Sequence, residues 1–359
     1  MRVLSIIGTR PQLIRIPLLN TSLQKLGFSH EILNTSQHYD MEMSSIFIEE
    51  FGIKNLHSLP KPSSKSSLIR FAEMLTQIEI YFQNEREQYD AVIVYGDTDS
   101  TLAGTLWAKR KGFLVVHVEA GLRSGNQQMP EELNRILVDH VSDLHLAPSQ
   151  LAVQNLTREG LSESVRLVGD ILMDHLKEYK FSDSNTHEEL FRKYEVTSSS
   201  KFFVVSFHRN ETLNSREKLE EIVSNVNLAT ELTFVLGHPK LLDSLRRFDL
   251  RFEGKAHVII PLGHSELIDL IYQSSGVMTD SGGLQRESTL LGVPTLIARK
   301  ETEWLELLNY KNTVLKGDTR DWELALNDLP RLHHDLSNLG SAAQASSEAI
   351  YNFLNRADK

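Results

Sequence analysis

The 359-residue chain has no cysteine. That excludes disulfides, thiolate nucleophiles and cysteine-ligated zinc, and it fits a reducing cytoplasm. No apolar run reaches the roughly 18 residues that a membrane-spanning helix needs. The opening MRVLSIIGTR lacks the apolar core of a secretory leader, so a cytoplasmic protein with no membrane insertion is expected. Basic residues are not in excess: 38 Lys and Arg stand against 48 Asp and Glu, a net charge of −10. That argues against a nucleic-acid partner and means that an anionic ligand needs a local site. No G-x-G-x-x-G follows the first strand-like run, no G-x-x-x-x-G-K-[ST] occurs, and the histidines show no H-E-x-x-H or other paired ligand spacing. A dinucleotide cofactor, a P-loop and a bound metal are therefore not indicated.

What is present is ordinary in bulk, with 40% hydrophobic and 24% charged residues, and longer than one core usually holds, so two domains are expected. RVLSIIG, HEILNT, AVIVYG, FLVVHVEAG, LHLAPS and VRLVG read as strands. QLIRIPLLNTSLQKLG, STLAGTLWAKRKG and PEELNRILVDHVSD between them read as helices. Runs that are apolar on both faces and separated by helices imply a parallel sheet covered on both sides. The pattern breaks in the polar stretch FSDSNTHEEL, Phe181 to Leu190, and restarts with KFFVVSFHR, LTFVLGHP, HVIIPLG, GVMTDSGG and VPTLIAR. The expected division is a domain over 1–180, a second over 181–345, and a C-terminal helix over 346–359 that packs back on the first. Each domain reads as doubly wound α/β, a class that binds ligands at the carboxyl ends of its strands.

The unusual residues fall at those strand ends. In DSGGLQRE, Asp280 to Glu287, the amides of Ser281, Gly282 and Gly283 at a helix start near Leu284 suit a diphosphate. Glu287 suits ribose hydroxyls, because an ionised carboxylate only accepts. A capped helix entered through glycines explains the same turn without a ligand. In GTRPQ, Gly8 permits close approach, Arg10 offers a planar donor fork, and Pro11 suits a first helical position. Pro17 requires a kink in the helix that follows. In GDTDS, Asp97 is either an acid/base group or part of an N-cap. Glu119 ends an apolar strand, where a carboxylate is costly unless used or paired. Glu131 opens a helix after Pro130, where the dipole favours it, and at i, i+4 it has Arg135 within reach. Three acids at one rim, Asp97, Glu119 and Glu131, make an acid/base constellation. His208 and Arg209 in FHRNE suit phosphate oxygens, with His208 able to protonate a departing phosphate. Two such rims facing across a cleft suit a sugar nucleotide.

Taken in order, GTRP, QHYD (Gln37 to Asp40), GDTDSTLAG, HVEAGLRS with MPEELNR, HRNE, DSGGLQRE and TEW (Thr302 to Trp304) resemble the non-hydrolysing UDP-N-acetylglucosamine 2-epimerases and their relatives acting on UDP-2,3-diacetamido-glucuronic acid. The likeness spans essentially the whole chain. It implies a GT-B-like α/β fold of two doubly wound, Rossmann-like domains, a homodimer, and chemistry without a cofactor. UDP leaves to give a glycal and then adds back, with Asp97, Glu119 and Glu131 handling protons and cationic charge and His208 assisting departure. It further implies phosphate or substrate contacts from Arg10, Arg15, Arg209, Ser281, Gly282 and Gly283, ribose on Glu287, and uracil facing the backbone of Leu262 and Gly263. The chain departs from the family in having Arg15 where lysine is common, Arg286 where an acid is common, and Leu305 in place of a proline after Trp304. The diacetamido-uronate substrate, a hydrolysing 2-epimerase and a GT-B glycosyltransferase stay open as alternatives.

Overall fold

The computed structural model describes residues 1–37, 48–64, 66–83, 88–178, 187–197, 200–260, 262–334 and 341–357. His38 to Asp40 of the QHYD motif and residues 181–186 at the expected boundary lie outside these. The chain divides into two compact units, Met1–Glu178 with Ser337–Lys359, and Tyr179–Leu336.

In the first unit the strands are β1 (Arg2–Ile7), β2 (Ser29–Asn34), β3 (Leu56–Ser58), β4 (Ala91–Tyr95), β5 (Leu114–Val118), β6 (Leu144–Ala147) and β7 (Val165–Leu167). They form a parallel sheet in the order β3-β2-β1-β4-β5-β6-β7. Strand β1 feeds helices on both faces, as its sequence requires. Val3 and Ile7 join the core with Leu19, Leu23 and Ile350, while Leu4 and Ile6 point the other way among Met74, Val92 and Trp107. The helix Ala342–Ala357 belongs to this unit: Ala342, Ala343, Ile350 and Leu354 complete the first of those cores. Pro17 does break its helix. One turn, Arg10–Leu13, ends before a second helix, Ile16–Lys25, in which Pro17 sits in the first turn, where its missing N–H costs nothing.

In the second unit the strands are β8 (Phe202–Ser206), β9 (Leu232–Leu236), β10 (Ala256–Ile259), β11 (Gly276–Thr279), β12 (Thr295–Ile297) and β13 (Thr313–Leu315), in the order β10-β9-β8-β11-β12-β13, again parallel. All five residues of β8 are buried, the condition of a strand sandwiched between helices.

Both sheets reverse their winding once, between β1 and β4 in the first and between β8 and β11 in the second. Ligands of doubly wound sheets bind outside the carboxyl ends at such a reversal. GTRPQ and GDTDS follow the two strands of the first switch point, and FHRNE and DSGG follow those of the second. Among the described residues, no helix is long and apolar enough to cross a membrane.

Candidate active site

The first unit's rim is built on its switch point. Gln12 ties the two strand ends together. Its Oε1 accepts from the amides of Gly8 (2.8 Å) and Thr9 (3.1 Å), and its Nε2 donates to the Tyr95 carbonyl at 2.6 Å. Gly8 is needed for packing, since a Cβ there would stand 1.9 Å from Ser100 Oγ. The close approach that the sequence suggested is made by a neighbouring side chain. Arg10 opens the turn after β1 and is half-buried.

Asp97 follows β4 and pairs with the buried Arg135, whose Nη1 also donates to Glu132 at 2.7 Å. The N-cap role in this loop falls to Thr98, whose hydroxyl accepts from the Thr101 amide, so Asp97 is not the cap. Glu119 ends β5 with φ +68, left-handed backbone that a glutamate adopts at a cost. Its Oε1 accepts from Arg15 Nη2 at 2.7 Å, and its Oε2 lies 3.2 Å from where a Cβ on Gly96 would be. Arg15 is 3% exposed and also donates to the Pro11 carbonyl. Its guanidinium is buried against Glu119 and holds that carboxylate. Glu131 stands half-buried in the first turn of the helix Pro130–Val141. The buried acid of that turn is Glu132, which accepts from the amides of Ser124 (2.9 Å) and Gly125 (2.8 Å) and so organises the preceding loop. Burial raises the Glu132 carboxyl, but those amides and Arg135 outweigh it and the net shift is downward.

Beneath Glu119 lies a buried charged cluster that the sequence did not disclose. His117 Nδ1 meets Asp139 Oδ1 at 2.6 Å and its Nε2 meets the Gly96 carbonyl at 2.8 Å. Both partners can accept a hydrogen bond. Asp139 also accepts from Arg123 (2.7 Å) and the Gly121 amide (3.1 Å). Burial alone would raise the Asp139 carboxyl, but the His117 ring and the Arg123 guanidinium outweigh it and hold it below the usual carboxylate range. The cluster fixes the backbone on both sides of Glu119.

The second unit's rim centres on Asp280, which is 1% exposed. It accepts from the amides of His208 (3.0 Å) and Arg209 (3.1 Å) and lies 3.2 Å from His208 Nδ1. Burial pushes its carboxyl up, but the His208 side chain and the two amides outweigh burial and hold it low. With Nδ1 turned to Asp280, the Nε2 edge of His208 makes no hydrogen bond among the described residues. The helix after β11 runs Gly282–Leu290 and is capped by Ser281, whose hydroxyl accepts from Leu284 N at 3.3 Å. It begins two residues before the expected start, which places both glycines in its first turn. The glycines are not equivalent. A Cβ on Gly282 would stand 2.7 Å from Glu303 Oε1, whereas one on Gly283 meets nothing nearer than Ser281 Oγ at 4.0 Å. Glu303 is held by Arg299 (2.8 Å) and lies 3.6 Å from Arg209. Glu287 is buried and 2.7 Å from His264 Nε2. Gly263 caps the helix His264–Gln273. Its amide donates to Glu266 Oε2 and its carbonyl accepts from the Leu267 amide. No cluster of three or more His, Asp or Glu among the described residues is placed to hold a metal ion.

The family model described as UDP-N-acetylglucosamine 2-epimerase matches residues 21–345. The chain belongs to this family. It is 34% identical to a UDP-2,3-diacetamido-2,3-dideoxy-D-glucuronate 2-epimerase of Pseudomonas aeruginosa, covering 97% of this chain and 98% of that one. It is 33% identical to a UDP-N-acetylglucosamine 2-epimerase of Methanocaldococcus jannaschii, covering 89% and 90%. A crystal structure of the enzyme from that organism in complex with UDP-GlcNAc and UDP matches 98% of this chain and 100% of that chain, with TM-score 0.88 at 29% identity. The GT-B-like α/β class expected from the sequence holds, and so does the family resemblance.

One of the chain's departures from the family pattern, Arg286, packs on a residue that keeps it, Trp304. Arg286 is buried with its guanidinium 4.0 Å from the Trp304 ring centroid, a cation–π stack. In this member of the epimerase family the DSGG helix and the TEW loop are thereby joined. Thr302 Oγ1 donating to Gln285 Oε1 at 2.8 Å adds a second tie.

Proposed function

We propose that the chain catalyses the reversible C2 epimerisation of UDP-N-acetylglucosamine to UDP-N-acetylmannosamine, without a cofactor and without net hydrolysis. The UDP moiety is held by the second unit: phosphates by the Ser281–Gly283 turn and Arg209, ribose by Glu287, and uracil by the Leu262 backbone. His208 donates to the departing phosphate oxygen. The C1–O bond breaks with its electron pair going to UDP, the C2 proton passes to a carboxylate, and a C1=C2 double bond forms. Re-addition of UDP to C1 with a proton delivered to the opposite face of C2 completes the inversion. Two faces call for acid/base groups on both sides of the ring, and carboxylates also favour the cationic transition state.

The observation that carries this reading is the pairing of Asp97 and Glu119 at adjacent strand ends beside the first switch point, each held by its own buried arginine. A glycosyltransferase has no need of two oriented acids there. The Pseudomonas aeruginosa relative favours a second substrate, UDP-2,3-diacetamido-glucuronic acid, for the same chemistry. We further propose a cytoplasmic homodimer that supplies a precursor for surface polysaccharide or glycan, with mass by light scattering as the check on the dimer.

The test is NMR of the purified protein with UDP-GlcNAc in D₂O. Deuterium at C2 together with UDP-ManNAc supports the proposal. Free ManNAc would mean that water intercepts the glycal. An unchanged C2 signal, with exchange seen on the diacetamido-uronate, would move the substrate. Silence on both would sink epimerisation.

A further inference from the structure

We propose that His264 is a positioning residue that fixes the Glu287 carboxylate and thereby sets the site's preference for a ribonucleotide over a deoxyribonucleotide. The inference rests on the reading that Glu287 receives the ribose.

Glu287 sits one helical turn after Gly283 on the helix Gly282–Leu290, with 4% of its surface exposed. A carboxylate that deep is costly unless its oxygens are bonded. His264 Nε2 lies 2.7 Å from Glu287 Oε1, and His264 is itself 2% exposed. An ionised carboxylate only accepts, so Nε2 carries the proton and donates.

The ring comes from a rigid place. His264 is the first residue of the helix His264–Gln273, and the Gly263 amide before it is tied to Glu266 Oε2 at 2.9 Å. The donor therefore cannot follow the carboxylate if the carboxylate turns.

The consequence is geometric. A glutamate has three rotatable bonds, and ordering them on ligand binding costs affinity. Fixing one oxygen against a buried N–H orders the carboxylate plane before the ligand arrives. A carboxylate has about four acceptor sites in its plane, more than one N–H donor uses. A vicinal 2′,3′-diol gains from a carboxylate of fixed plane, and a ligand lacking one hydroxyl gains less. Leu262, the proposed base contact, and His264 flank Gly263, so one turn places the base and orients the ribose acceptor.

Calorimetric titration of the full-length protein with UDP and with 2′-deoxy-UDP tests this. A hydrogen bond to a charged group changes affinity by about tenfold or more. The wild type is expected to prefer UDP by that factor. His264→Leu should reduce the preference to about threefold or less while holding 2′-deoxy-UDP near its wild-type affinity. His264→Gln, which keeps a donor, should restore part of it. In Glu287→Gln the preference should be lost, and adding His264→Leu should change it no further. Equal weakening of both nucleotides by His264→Leu would show a packing role only and overturn the inference, as would an unchanged preference. If Glu287→Gln alone leaves UDP affinity and preference intact, the ribose reading fails and takes the inference with it. Loss by Glu287→Gln with none in His264→Leu would overturn the inference alone. Thermal melts of each variant guard against misfolding, and His264→Gln carries the test should the leucine variant not fold.

Discussion

Arg15 Nη2 donates to Glu119 Oε1 across 2.7 Å, with the two side chains 4% and 10% exposed. The pair joins the helix after β1 to the end of β5, and it holds a carboxylate whose own backbone is in the left-handed region. Removing one member of a buried pair leaves an uncompensated charge, at a cost of about 3–5 kcal/mol. Arg15→Met should lower stability to denaturant by that order. Arg15→Lys keeps the charge but lacks the planar fork that reaches both Glu119 and the Pro11 carbonyl. It should melt close to the wild type yet turn over about tenfold more slowly or worse, because Glu119 is no longer aimed. An Arg15→Met protein as stable as the wild type would show that the pair supports nothing.

The two glycines of the DSGG turn should separate in mutation. In Gly282→Ala the methyl collides with Glu303 Oε1, which Arg299 holds in place. Overpacking of this kind costs about 1–3 kcal/mol. In Gly283→Ala the methyl has room, and alanine is the better helix former by about 1 kcal/mol. The second variant should therefore fold as well as the wild type or better, while its methyl would crowd the amides to which the diphosphate is proposed to bind. We expect UDP affinity to drop about tenfold in Gly283→Ala, read by calorimetry beside a thermal melt. Wild-type UDP binding by that variant would remove the turn from the phosphate site.

Asp280 faces His208 Nδ1 at 3.2 Å, so the proposed proton donor to UDP would be the Nε2 edge. Loss of a positioned acid/base group typically costs about 10²–10⁴-fold in turnover. His208→Asn should show a loss of that size with UDP affinity within about tenfold of wild type. Asp280→Asn should slow turnover and also destabilise the fold, since the amides of His208 and Arg209 lose an anionic acceptor. Turnover by NMR and unfolding by urea, measured together, separate the two effects. Undiminished turnover in His208→Asn would exclude it from the chemistry.

The strands that carry this site were legible because burial on both faces writes continuous apolar runs such as AVIVY and FFVVS. The sequence reading missed β3 and β13. Each has only three residues at a sheet edge, and β3 is exposed at His57 and Ser58, so neither shows a run. The candidate acid/base residues stood out because a carboxylate ending an apolar strand, as at Glu119, has no cheap structural account. Their holders could not. Arg15 lies 104 residues from Glu119, Arg135 38 from Asp97, and His264 23 from Glu287. Nothing local marks those pairings, because they arise only when helices pack across a sheet. The sequence could place Glu131 and Arg135 one turn apart, but it could not show Arg135 reaching Asp97.

A buried histidine gives the fold a pH dependence separate from catalysis. Asn20 Oδ1, His30, Ser5 Oγ and Tyr95 OH form a chain in the first unit's core. His30 Nδ1 lies 3.0 Å from Asn20 Oδ1, its Nε2 2.7 Å from Ser5 Oγ, and Ser5 Oγ 2.7 Å from Tyr95 OH. The Asn20 oxygen requires Nδ1–H, so Nε2 accepts from Ser5 and Ser5 accepts from Tyr95, a direction that needs a neutral ring. Burial lowers the His30 pKa from 6.5 to about 4, against the opposing pull of Glu31. The folded value is below the unfolded one, so as pH falls the unfolded chain takes the proton first. Stability is full above pH 6.5 and is lost on the way down to pH 4. Between pH 7 and 5 the loss from this one group is about 2 kcal/mol. His145 and His187, also lowered by burial, act in the same sense, so the wild-type curve alone does not isolate His30. Urea unfolding of wild type and His30→Gln at the two pH values does. The variant should be less stable at pH 7 but lose about 2 kcal/mol less than the wild type on going to pH 5, and equal losses in the two proteins would refute a neutral buried His30.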